Sequence, residues 1–280
     1  MSTSGYERPI GPWPRKETPL EAIRLITPEE LRAWILFEDE HLLVLNKPGD
    51  VVCHPSKAGP WSSLVGAARE YLGGGAVHLI FRLDRETSGV VLIAKDERTN
   101  TLLQRVTLKR CYSKAYHAIL VGELAVETTV DQPLGPDCSG PVVARTCVVP
   151  AGQGKPAVTR YTPLAVGGGF TLARVVTETG RKHQIRAHAQ WLGYPLVGDK
   201  IYGPDQRLYL EFIERGWTPA LESRLLLRRQ ALHCAEIALT LAGEERVFRA
   251  GLPDDLAAFA MRCMGEAARA VVAGLAGREG

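Results

Sequence analysis

The sequence predicts a soluble α+β domain, and three observations predict it. Strand-like apolar runs and segments of helical spacing are mixed along the chain. The glycines at 167–169 join two strand-like runs as a hairpin. No internal repeat is present, and no apolar run approaches the roughly 18 residues needed to span a bilayer. With 280 residues, 45% of them hydrophobic, the chain can bury a full core as one large domain or as one domain with appendages.

The first twenty or so residues are rich in proline and polar groups and lack periodicity, which predicts a loose or surface-laid arm. In "TPEELRAWI", Thr27 as N-cap, Pro28 at the first helical position and Glu30 three residues after the cap make a capping box that opens a short helix. "HLLVLNKPGDVV" reads as strand, turn, strand about Lys47-Pro48-Gly49. Leu64, Val65, Ala68, Tyr71 and Leu72 repeat at helical spacing, and the glycines that follow stop that helix. "GVVLIAKD" is a short buried strand, and "KAYHAILVGEL" a strand with alternating faces. After the 157–180 hairpin, "RKHQIRAHAQWLG" puts Ile185, Ala189 and Leu192 on one helical face and leaves His183 and Arg186 on a flank. "ALHCAEIALTL" is a further strand, and an alanine-rich helical tail follows residue 254.

Charge and composition then limit the chemistry. A net charge of +3 and a pI near 8.5 permit an anionic partner without demanding one. Residues 101–117 are more telling, since they hold Arg105, Lys109, Arg110 and Lys114 and no acid. The six cysteines include no C-x-x-C pair, and no secretion leader opens the chain, so a reduced cytoplasmic setting is expected. "GQGKPAV" lacks the spacing of a phosphate loop, and His183 and His188, five apart, do not share a helix face, so no metal site is expected. Ser88 is not in a nucleophile elbow.

What survives is Asp84. In "HLIFRLDRETSGVVLIAKD" the charges Arg82, Asp84, Arg85 and Glu86 interrupt two runs built for burial. An aspartate between two arginines at a strand mouth is either a structural ion pair or an ionised carboxylate that acts as a nucleophile. Spacing alone leaves both open.

"FRLDRETSGVVLIAK" resembles the signature of the RluA-type pseudouridine synthases, commonly H-R-L-D-x-x-T-S-G-L followed by apolar residues and A-K. "ILFEDEHLLVLNKPGDVVCHP", "KAYHAILVG", "GKPAVTRY", "ETGRKHQIRAHAQWLGYPLVGDKIYG" and "RQALHCAEIAL" match further family segments in the family's order, over roughly residues 35–255. The resemblance implies a pseudouridine synthase fold: a mixed, mainly antiparallel sheet with flanking helices around a central RNA-binding cleft. It also divides the chain into an arm and short helix (1–34), a catalytic domain (35–255) and a helical tail (256–280).

Carried over position by position, the resemblance makes Asp84 the catalytic aspartate, Tyr116 the active-site tyrosine and Arg186 the arginine that pairs with the aspartate. Arg82 matches an arginine implicated in displacing the target base. Arg85, Lys109, Arg110, Lys114, Arg181, Lys182 and His183 complete the expected RNA-binding set. The implied reaction converts uridine in RNA, ribosomal RNA first and tRNA next, to pseudouridine without a cofactor, and relatives often act as monomers. Two departures stand out. Phe81 replaces the family's usual histidine, and the arm is too short for the S4-type RNA-binding module that many relatives carry. The rival readings are a catalytically silent RNA-binding or chaperone protein of the same fold, and a phosphohydrolase, for which "DRET" lacks the second aspartate.

Overall fold

The computed structural model describes residues 24–54, 59–143, 145–241 and 243–276. The expected arm therefore lies largely outside the described residues. Its helix, α1 (Pro28–Ala33), forms as the capping box dictates: Thr27 Oγ1 accepts the Glu30 N–H, and the Glu30 carboxylate accepts the Thr27 N–H.

Strands β1 (Ile35–Glu38) and β2 (Leu42–Lys47) pair antiparallel. The second strand expected after Lys47 does not form. Its carbonyls have other partners: the Lys47 ammonium donates to Pro48 O and Val51 O, and Val52 O and Cys53 O accept the first two N–H groups of α2 (Leu64–Tyr71). A segment whose acceptors are already used cannot join a ladder. The two-residue strand β3 (His78–Leu79) precedes β4 (Ser88–Ala94), which is buried along its whole length, as its unbroken apolar run requires. Helix α3 (Glu97–Leu108) is capped by Asp96 and leads into β5 (Tyr112–Val121). Both faces of β5 are covered: Tyr116, Ala118 and Leu120 feed one core and Ile119 a second.

β6 (Thr128–Asp131) precedes a two-stranded ribbon, β7 (Leu134–Pro136) with β8 (Thr146–Val148). The predicted hairpin is β9 (Val158–Gly167) with β10 (Phe170–Thr177), and Gly168 and Gly169 take the positive φ its turn needs. Then come α4 (Gln184–Trp191), α5 (Arg207–Arg215), α6 (Pro219–Leu225), β11 (Leu232–Leu241) and β12 (Glu244–Arg249). Two helices, α7 (Asp254–Met264) and α8 (Glu266–Ala276), divided at Gly265, share the second core with Ala165 and Leu172 of the hairpin.

The main sheet runs β1-β2-β4-β11-β5-β10-β9-β6, with β12 on β11 and β3 on β4. Among the described residues its pairings are antiparallel except one. β4 and β11 meet in parallel over His233↔Ser88 and Cys234↔Gly89. Gly89 is required there, because a Cβ would lie 2.1 Å from Cys234 O. This seam lies directly after the turn that carries Asp84.

Candidate active site

The chain leaves the core at Phe81 and closes a turn in which the Thr87 N–H donates to Asp84 O at 3.1 Å. The four charges then separate. Arg82 stands exposed at the rim of a cleft of about 110 Å³, and Asp84 lines that cleft. Arg85 is exposed, and its Nε donates to Asp50 O at 3.3 Å. Glu86 turns inward and accepts from Lys200 Nζ at 2.6 Å. Fully buried Lys47 fixes the turn from below by donating to Arg85 O at 3.0 Å, and burial pushes its pKa down to about 8.

The resemblance, not the local charge pattern, names the partner of Asp84: among the described residues neither flanking arginine pairs with it. The guanidinium that does belongs to Arg186, 102 residues away, whose Nη1 donates to Asp84 Oδ2 at 2.8 Å. Arg186, expected on a helix flank, is only 4% exposed. Its other edge is held by Asp199, which accepts from Nε at 2.7 Å and from Nη2 at 2.8 Å. Asp199 is wholly buried and also accepts the N–H groups of Ile201 and Tyr202. A bidentate fork backed by two further hydrogen bonds leaves the guanidinium one direction in which to point. Burial works against ionisation of Asp84, but the Arg186 charge, His183 and the hydrogen bonds from Arg186 and Gln230 together outweigh it and hold the carboxyl below the usual aspartate range. The Asp84 side chain is still 34% exposed, so the anion faces the cleft.

Tyr116, on β5 across from Cys234 of β11, lines the same cleft and is 7% exposed. Burial, aided by Cys234 and Asp84, raises its phenol well above the ordinary tyrosine value. Lys114, two residues earlier and so on the same face, also lines the cleft but is buried, with its ammonium 4.9 Å from the Phe81 ring and 5.8 Å from the Tyr112 ring. Phe81 is buried 4.8 Å from Tyr112, so it offers an aromatic face where the family has an imidazole.

His183 caps α4 in the left-handed region, φ 54°, a conformation that costs a non-glycine residue about 1–3 kcal/mol. Its Nδ1 lies 3.1 Å from Tyr202 Oη, and its Nε2 lies 3.8 Å from Asp84 Oδ2. Burial, then the Arg186 charge, lowers its pKa to about 4, so the imidazole is neutral at pH 7. Arg181 lines the cleft and donates to Pro156 O, and Lys182 beside it is exposed. Arg105, Lys109 and Arg110 are exposed at the end of α3 and do not line the cleft.

Sequence reasoning missed Asp199, Tyr202 and Lys47. Asp199 carried a readable signal: it is a lone acid in "YPLVGDKIYG", the same kind of interruption that singled out Asp84. The six cysteines are free thiols, and no group of three or more potential metal-ligating side chains occurs among the described residues.

Residues 41–191 match the family model described as RNA pseudouridylate synthase. The chain is 36% identical over 234 residues to a Vibrio parahaemolyticus protein described as ribosomal large subunit pseudouridine synthase D, covering 80% of this chain and 68% of that one. A Haemophilus influenzae protein of the same description is 34% identical over 240 residues, with 81% and 69% covered. Among solved structures, human RNA pseudouridylate synthase domain containing 4 superposes with a TM-score of 0.67 at 25% identity, over 84% of this chain and 94% of that one. The chain belongs to the RNA pseudouridylate synthase family. It is an isomerase that acts on RNA.

Proposed function

We propose that the protein isomerises uridine in large-subunit ribosomal RNA, with tRNA as the second candidate substrate, and that Asp84 is the attacking group. One observation carries the assignment of roles: an ionised carboxylate opens onto a cleft that Tyr116 also lines, and Arg186 both pairs with it and is fixed from behind by Asp199. The ribosomal substrate rests on the shared description of the bacterial relatives. The silent-binder alternative gains nothing from a site with its carboxylate, guanidinium and phenol all in place.

Pseudouridine formation requires the uracil to leave its stack, the N1–C1′ bond to break, the base to turn and C5 to join the sugar. Tyr116 supplies a ring for the extruded base and, as a neutral phenol, an O–H donor. The neutral phenol is a poor acceptor for the C5 proton, so the Asp84 carboxylate, once freed, is the better base in the cleft. Arg82, Lys114 and Arg181 meet phosphates inside the cleft, and Arg85, Lys109, Arg110 and Lys182 outside it. We take the protein to act as a monomer in the cytoplasm, a compartment that its free thiols fit.

The test is tritium release from RNA labelled at uracil C5, with Asp84→Asn alongside. Release by the natural chain and none by the variant is the expected result. Release by both removes Asp84 from the chemistry, and release by neither counts against the isomerase reading itself. Mapping pseudouridines in total RNA with and without the gene identifies the target site.

A further inference from the structure

The hydrogen-bond chain behind His183 and the Asp84 carboxylate in front of it together favour one site for the imidazole proton. Tyr202, fully buried with the guanidinium groups of Arg145 and Arg186 within 5.1 Å and 5.0 Å of its ring, accepts the Thr146 N–H at 2.8 Å. The Thr146 hydroxyl hydrogen is used on Lys182 O at 3.1 Å, so any hydrogen shared with Tyr202 Oη must come from the tyrosine. The tyrosine hydrogen then has two acceptors, Thr146 Oγ1 and His183 Nδ1. If Nδ1 were the protonated nitrogen, the lone pair on Nε2 would face the Asp84 carboxylate 3.8 Å away, two concentrations of negative charge pointed at each other. The tautomer with Nε2–H toward Asp84 avoids that.

At 3.8 Å the Nε2–H is too far from Asp84 for a hydrogen bond, and it lines the cleft with no closer acceptor among the described residues. A strained backbone and a three-residue relay centred on the buried Tyr202 thus hold a neutral donor over the carboxylate. We propose that His183 is a further catalytic residue, whose Nε2–H donates to a carbonyl oxygen of the uracil as the N1–C1′ bond breaks, with Tyr202 and Thr146 as its positioning residues. The inference rests on the isomerase reading and extends it to the leaving base. When N1–C1′ breaks, its electron pair goes to the uracil and is delocalised onto the carbonyl oxygens. That holds whether Asp84 first attacks C1′, adds to C6 or removes a sugar proton. A fixed donor at one of those oxygens stabilises the charge as it develops.

The experiment measures single-turnover pseudouridine formation by the full chain on an RNA fragment carrying the mapped site as uridine, 2-thiouridine or 4-thiouridine. Sulfur accepts hydrogen bonds poorly, so each thio-substrate removes one candidate acceptor. His183→Gly, which tolerates the positive φ, is expected to lose about 10²–10³-fold in single-turnover rate on uridine at saturating RNA, more than any change in its Kd for RNA. On one thio-substrate the loss should shrink, because the same contact cannot be removed twice. Tyr202→Phe, which keeps the imidazole but frees its tautomer, should show a smaller loss with the same pattern, and it decides the matter if His183→Gly does not fold. Equal losses on all three substrates overturn the proposal. No turnover of the uridine substrate by the natural chain defeats the isomerase reading instead.

Discussion

The floor and the rim of the cleft are both basic, and they differ in how their charges are held. On the floor each cation has fixed partners: Arg186 grips Asp84 and Asp199, Lys47 meets three carbonyls, and Lys200 meets Glu86 and Arg228 O. At the rim Arg82, and beyond it Lys182 and the α3-end residues Arg105, Lys109 and Arg110, have exposed side chains with no hydrogen bond or ion pair among the described residues. Buried charges are costly unless fully partnered, so the floor's charges hold a fixed geometry, and under the proposed function they are the ones expected to govern rate. The rim's charges are hydrated and screened, and under the same proposal they are expected to govern affinity.

The sharpest way to break this comparison is to remove a floor partner. Asp199→Ala leaves Arg186 buried beside a single carboxylate, and a loss of about 3–5 kcal/mol in urea unfolding is expected, together with lost turnover. A change within 0.5 kcal/mol or so, the size usual for surface substitutions, would make the floor no different from the rim. Phe81→His comes next. It exchanges a buried ring that faces Lys114 for a polar one, with an expected cost of about 1–2 kcal/mol that disappears when Lys114 is also made Met.

Acid provides a third test. The folded-state pKa values of Asp84 and Asp199 both lie below the unfolded aspartate value of about 3.9. Their contribution to stability is therefore fully present above roughly pH 4–5 and lost as pH falls through the lower, folded values. Urea unfolding at pH 5 and pH 3 should show the drop, and Asp199→Ala should flatten it. The smallest effect belongs to the rim. Lys109→Gln with Arg110→Gln should leave the melting temperature unchanged and reduce the salt slope of RNA binding by about 0.7 per phosphate contact removed. An unchanged slope takes both residues out of the interface.

The same division explains what could be seen in the sequence. Elements set by local rules were legible: the Thr27 capping box, the buried run of β4 and the glycine turn between β9 and β10 all formed as their residues dictate. The 48–52 segment was not, because whether an apolar run becomes a strand depends on where its carbonyls find donors, here Lys47 and the start of α2. Asp84 stood out as a charge inside an apolar stretch, yet the local pattern pointed to Arg82 and Arg85 as its partners. The actual partner comes from α4, and its support from Asp199, 13 residues beyond Arg186. No local pattern joins residues that only a folded sheet brings together. The family motif supplied Arg186, and the basic segment near 105–114 proved to be two environments, exposed on α3 and buried on β5.

The parallel seam between β4 and β11 also orders events during synthesis. Ser88 and Gly89 wait for His233 and Cys234, which leave the ribosome almost 150 residues later, and the same late strand brings Cys234 beside Tyr116. A nascent chain that ends before β11 carries the aspartate, the tyrosine and the arginine without the wall that aligns them. The wall of the cleft is therefore complete only once β11 has been made and has paired with both β4 and β5.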